Sequence, residues 1–320
     1  MSAHKTCSPR LEPSRIKVVR RQSTIHTRRV SCLAIYNEII TRVFNEIQGI
    51  EKEAFTQWNQ LGPITFTGNP PIIQGNGYEA MRVLGKLMNY DTNISPFKDL
   101  ACASCHMPYV AFSGPIPSVN LTMVAYPGSL HYRAAKRTAQ RYTYSPDFPV
   151  LEYNTTQGAF FGGNFWDSRA TGYQLQSPDA NQAQGPPLDP LEMMMPDPAC
   201  IVYRLSQAVY APLFQQVWGA DSFDINWPAN TEEICGTPAG ASQFGTSTTP
   251  VQLGPEDRTL AMNDFNHWAQ SISFYERGDD VSPFTSKFDA YLAKKYTLTF
   301  RRTGRLRPIQ GEGELQLLSS

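Results

Sequence analysis

No stretch of this chain of 320 residues is apolar for long enough to cross a bilayer, which excludes an α-helical membrane span. Neither charge is in excess: Lys+Arg and Asp+Glu stand at 28 each, so the molecule as a whole has no field to recruit nucleic acid or an anionic membrane. No internal repeat is present, which excludes a solenoid or propeller. Strand-type alternation is scarce, so the expected class is mainly α. Among six cysteines only Cys102 and Cys105 form a close pair, and a structural zinc site would want a second. The βαβ surroundings of a thioredoxin-like C-x-x-C are also missing.

What is present is enough for one large domain or two small ones. Hydrophobic residues make up 41% and charged residues 18%, which supports a sizeable core and excludes global disorder. Pro 25 and Gly 22 fit a fold with long ordered loops. The charge balance hides a basic N-terminus: Lys5, Arg10, Arg15, Lys17, Arg20, Arg21, Arg28 and Arg29 stand against the single acid Glu12. No apolar stretch of adequate length comes after it, so it does not read as a secretory signal. Residues 1–50 are therefore expected to be a basic arm that is disordered or a mis-assigned start, with a functional arm as the alternative.

Helical periodicity is clear in a few places. Residues 76–90 place Met81, Leu84 and Met88 on one face, with Val83 and Leu87 beside it. Residues 198–219 give one or two helices, interrupted near Pro212. The segment 255–278 has Pro255 at its start, acids in its first turn and Gly278 at its end, with Leu260, Phe265, Trp268, Ile272 and Phe274 on its apolar side. A short last helix is expected in "SPFTSKFDAYLAKK". Residues 107–165 read as irregular wrapping chain with short helices, and 236–254 as a loop. Cys200 and Cys235 are either a disulfide or two separate buried thiols, since sequence separation does not decide the geometry.

The chemistry lies in "CASCH", residues 102–106. Two thiols three positions apart can form thioethers to the two vinyl groups of one haem, and His106 is then held beneath the iron as an axial ligand. One haem c is the cofactor expected here. Such attachment implies a periplasmic location, because it is matured outside the cytoplasm in bacteria. The sixth iron position separates functions: an electron carrier fills it with Met or His, and a peroxidase leaves it open or labile. Candidates to close it are Met123, His131, Met193, Met194, Met195 and His267.

Further along stand "LGKLMNYD", "CASCHMPYVAF", "FWDSRATG" and "QAQGPPLDPLEM", in that order, and then "SFYERGDDVSPFTSKFDAYLA". This series resembles the N-terminal haem domain of the bacterial di-haem cytochrome c peroxidases and their MauG-type relatives, over roughly residues 72–300. The resemblance implies a cytochrome c-like haem domain with long irregular loops. It implies reduction of hydrogen peroxide with electrons from a small cytochrome or cupredoxin, or oxidation of residues of a partner protein in a MauG-type enzyme; a homodimer is a further expected partner. It places Gln182 and Glu192 on the distal side of the haem. There a carboxylate takes a proton from peroxide and returns it to the leaving oxygen, and a neutral amide holds the oxidant without adding charge. Trp166 corresponds to an electron-relaying tryptophan between two haems, against the plainer reading of core packing. Arg137 falls near an arginine that faces a haem propionate. Asp167 and Arg169 are expected to form a local ion pair.

Two departures accompany the resemblance. A second C-x-x-C-H does not occur, and after "YLAKKYTLTF" residues 301–320 are an Arg-rich, then polar tail without family character. The expectation is a haem domain over 51–300 whose second haem domain is absent through truncation or a frame shift. A non-enzymatic single-haem electron carrier is the alternative function, and an inactive remnant that never receives haem is a third.

Overall fold

The computed structural model describes residues 32–61, 66–67, 72–73, 76–114, 126–240 and 250–297. Eight α-helices appear among them: α1 (Cys32–Gln60), α2 (Asn76–Tyr90), α3 (Pro178–Ala183), α4 (Pro198–Ser206), α5 (Ala211–Trp218), α6 (Thr231–Cys235), α7 (Pro255–Arg277) and α8 (Lys287–Leu292). Among the described residues, strand is confined to two antiparallel hairpins, β1 (Phe66–Thr67) with β2 (Ile72–Ile73), and β3 (Glu152–Asn154) with β4 (Ala159–Phe161). The class is mainly α, with long irregular segments that carry single turns of 3-10 helix.

The core is built on the crossing of α2 and α7, the most extensive packing between any two elements described. Met81, Leu84, Leu87 and Met88 of α2 are buried with Phe265, Trp268 and Ile272 of α7 in one apolar cluster. Gly85 makes the approach feasible, since a Cβ at that position would run into the backbone carbonyl of Ser271. Helix α7 begins with Pro255 after Gly254, has Glu256 and Asp257 in its first turn and Arg277 in its last, and so matches the macrodipole at both ends.

Helix α1 lies along α2. Ile47, Ala54 and Trp58 are buried positions of it, at helical spacing. The chain is helical from residue 32, so residues 32–50 of the expected N-terminal arm belong to a helix. The basic residues of the anticipated arm lie outside the described residues. The buried Lys86 of α2 fastens three elements together. Its ammonium donates to Glu53 Oε1 (3.3 Å) and Gln57 Oε1 (3.4 Å) of α1 and to Asp280 Oδ2 (3.1 Å) beyond α7.

The expected interruption in 198–219 falls between α4 and α5, and Pro212 sits in the first turn of α5, where it costs no hydrogen bond. Asp197 caps α4 by accepting from Ala199 N, and Arg258 of α7 holds the same carboxylate through both of its oxygens. Cys200 of α4 and Cys235 of α6 form a disulfide with Cα atoms 5.3 Å apart. Of the two readings that the sequence allowed, the bridge is the one formed.

Candidate haem centre

A cavity of about 540 Å³ opens beside the α2–α7 core. Cys102, Cys105 and His106 form one part of its wall, Gln182 and Glu192 another, and Arg137 and Trp166 belong to the lining as well. The residues singled out by sequence, drawn from four separate segments, therefore meet around one space.

The C-x-x-C-H segment is a single 3-10 turn, Cys102–Ser104, that runs directly into His106. Ser95 prepares its approach: the Ser95 hydroxyl accepts from Asp99 N (3.0 Å) and Leu100 N (3.1 Å). The two cysteines are free thiols, not bonded to one another. Burial pushes each of them up to about 12, with the Glu192 carboxylate adding to the effect at Cys105. Both therefore stay protonated at neutral pH in the absence of a reacting partner.

The turn after the motif fixes His106. Its Nδ1 lies 3.0 Å from the carbonyl oxygen of Phe112. A carbonyl oxygen only accepts, so Nδ1 carries the proton, and Nε2 of the neutral ring carries the lone pair that a metal needs. Burial holds the imidazole down to about 4, and the Phe112 and Gln140 backbones oppose this only in part. The tight turn is made by Ala111 and Phe112, both at positive φ (56° each), and a backbone pairing between Met107 and Ser113 closes it.

Gln182 is on the second turn of α3, which Ser177 caps by accepting from Ala180 N. Glu192 lies in the hydrogen-bonded loop between α3 and α4. Glu192 N donates to Asp189 O (3.0 Å), Met193 N to Pro186 O (3.2 Å) and Met195 N to Pro187 O (2.7 Å). From outside, Ser129 N donates to Glu192 O (2.9 Å). The crossing chain comes so near because Gly128 has no Cβ; one there would meet the carbonyls of Leu191 and Glu192. Burial, reinforced by the neighbouring Asp189, raises the Glu192 carboxyl to about 7, while Lys136 and Arg169 pull the other way. A carboxyl with that value is poised to take and give a proton near neutral pH.

Trp166 departs from its plainer reading. Its side chain is 98% exposed, so it is not core packing. Phe165 and Ser168 both have positive φ (65° and 54°), and a pairing of Asn164 with Ala170 closes the loop behind them. The Arg169 guanidinium covers the Phe165 ring at 3.5 Å, and the adjacent indole projects outward at the mouth of the cavity. Asp167 pairs with Arg169 (2.7 Å), as expected, and also with Arg137 (3.1 Å). Arg137 is thus at the cavity rim with a carboxylate partner of its own.

Of the candidates to close the sixth position, Met193 is in the cavity wall. Met194 and Met195 are buried outside that lining. His131 is turned toward Asp99 Oδ2 (3.3 Å), and His267 is stacked on Trp218 with ring centroids 4.2 Å apart. Met123 lies outside the described residues.

Three further wall residues, Tyr142, Trp268 and Glu276, are not legible as site residues in the motifs. For two of them a signal exists: Trp268, Ile272 and Glu276 recur every fourth position of α7, share one face and all line the cavity. Trp268 tests the fit of haem directly. Its ring is wholly buried and its indole N–H finds no acceptor among the described residues. An orphaned buried donor is costly unless something supplies an oxygen. Haem carries two carboxylates, and two free thiols next to a neutral histidine match its other attachment points. The donor set therefore fits haem.

A family model described as "Di-haem cytochrome c peroxidase" matches residues 79–297. The chain belongs to this family. In the di-haem cytochrome c peroxidase family the cofactor is haem and the activity is oxidoreductive. The chain is 26% identical over 214 residues to methylamine utilization protein MauG of Paracoccus denitrificans, covering 66% of this chain and 44% of that protein. Its fold is similar to a crystal structure of a variant of the di-haem peroxidase BthA from Burkholderia thailandensis. There the TM-score is 0.50 and the identity 22%, over 77% of this chain and 48% of that one. The chain thus spans about half the length of these relatives.

Proposed function

We propose that the chain is the haem-bearing half of a peroxide-reducing enzyme, with one haem c joined to Cys102 and Cys105 and ligated by His106. The observation that carries this reading is that His106 and Glu192 face one cavity, the first with a lone pair to offer and the second with a proton to exchange. When bound, the haem supplies the iron that binds the oxidant and passes electrons to it. Glu192 takes a proton from hydrogen peroxide and delivers it to the departing oxygen. Two electrons and two further protons complete the conversion of one peroxide to two waters. Gln182 holds the oxidant by its amide without adding charge. The exposed indole of Trp166, at the cavity mouth, supports a relay role where electrons from a small cytochrome or cupredoxin would enter.

The disulfide between Cys200 and Cys235 supports an oxidising compartment, as the periplasm is, and covalent haem attachment points the same way. A MauG-type activity, in which residues of a partner protein are oxidised, uses the same centre and draws support from the outward position of Trp166.

A second reading is favoured by Met193, which lines the cavity next to Glu192. With its sulfur as sixth ligand the centre becomes an electron carrier. An optical spectrum of the haem-loaded chain, with and without peroxide, tests the two. A high-spin ferric form that changes on adding peroxide is expected. A low-spin form indifferent to peroxide, turned high-spin by Met193→Ala, overturns the enzymatic reading in favour of the carrier.

A further inference from the structure

The imidazole of His106 is gripped on its face by a residue outside the proposed chemistry. The ring of Tyr142 stacks on it with centroids 4.1 Å apart and planes 14° from parallel. Tyr142 is 6% exposed, and Phe112 flanks it at 6.1 Å. Its hydroxyl donates to Asn89 Oδ1 (3.0 Å), and Asn89 is a buried residue of α2. The grip therefore runs from the core helix through an amide and a phenol to the imidazole.

The two restraints on His106 do different things. The bond from Nδ1 to the Phe112 carbonyl fixes the tautomer but leaves the ring able to rock about the N–H···O line. A flat partner against the ring face stops that rocking. The partner is electron-rich on its face, and an imidazole bound to oxidised iron is more positive than one bound to reduced iron. Asn89 Oδ1 is an acceptor and no base, so the phenol keeps its proton and acts as a neutral face.

We propose that Tyr142 is a positioning residue for the haem iron, locking the orientation of the His106 imidazole and favouring the oxidised state. The proposal rests on the haem reading above. Its test uses the full chain loaded with haem, and reads the midpoint potential and the electron paramagnetic resonance spectrum of the cyanide-bound ferric form. Tyr142→Leu removes the face and is expected to raise the midpoint by about tenfold in the oxidised-to-reduced ratio, about 59 mV for a one-electron couple. Tyr142→Phe keeps the ring and restores most of the wild-type value. Asn89→Ala frees the phenol while leaving the ring in place, and is expected to broaden the resonance into several imidazole orientations. A wild-type midpoint in Tyr142→Leu, or a wild-type resonance in Asn89→Ala, overturns the proposal. A wild-type chain without covalent haem by pyridine haemochrome overturns the haem reading instead, which is a distinct result.

Discussion

Gly85 of α2 faces the backbone carbonyl of Ser271 in α7 with no room for a Cβ between them. In an exposed helix, replacing Gly by Ala gains about 0.5–1 kcal/mol from backbone entropy. Here the added methyl must push apart the two helices that carry the core, and overpacking of that kind costs about 1–3 kcal/mol. Gly85→Ala is expected to lower stability on balance, read as a lower denaturation midpoint with an unchanged slope. A midpoint at or above wild type would show that the helices part easily.

Covalent haem depends on both thiols. Replacing Cys102 and Cys105 together by Ala is expected to abolish haem that survives denaturation and electrophoresis, while a single replacement leaves one thioether. Haem staining of the separated protein checks this. Persistent covalent haem in the double variant would place the attachment elsewhere.

The Glu192 carboxyl is raised to about 7 in the folded chain, from an ordinary value of 4.5. As a base it must be ionised, so the rate with peroxide is expected to rise with pH and level off above about 7. Glu192→Gln is expected to lower that rate by about 10²–10⁴-fold with the haem spectrum retained. The same shift has a sign for stability. The folded form holds the proton more tightly, so the contribution is whole below about 4.5 and is lost as pH rises through about 7. Glu192→Gln should flatten the dependence of stability on pH across that window, measured by denaturant titration at several pH values.

The bridge between Cys200 and Cys235 closes a separation of 35 residues. Constraint of the unfolded chain over such a loop is worth about 2–4 kcal/mol. Replacing both cysteines by Ala should cost that much in a denaturation experiment, and reduction of the wild type should cost a similar amount. No change in either would mean that the thiols are not paired in solution.

Much of the frame is legible in the sequence because it rests on local rules. The bounds of α2 and α7 follow from apolar spacing, Pro255 and the charged ends, and Met81, Leu84, Met88, Phe265, Trp268 and Ile272 are buried as the pattern requires. The start of α1 is harder to place, because a basic stretch runs straight into it and its buried positions Ile47, Ala54 and Trp58 are sparse. The β3–β4 hairpin, with Tyr153 against Phe160, lies in a stretch whose composition reads as loop.

At the site, motif order identifies residues that share the cavity, but contacts between distant segments are out of its reach. That Tyr142 stacks on His106 depends on how two irregular segments wrap, and neither has a period to read. The outward turn of Trp166 depends on positive φ at Phe165, a conformation that an aromatic residue does not advertise. The pairing of Cys200 with Cys235 is decided by the approach of α4 to α6, which no local pattern encodes.

The projecting indole at position 166 gives the molecule a reporter of its own. Indoles in water emit at longer wavelength than those in a dry interior, so this one should stand apart from the enclosed Trp268. A protein that settles over the knob would shift its glow toward the blue, and a nearby porphyrin would dim it. Docking and cofactor loading would thus be visible in the native chain without any label.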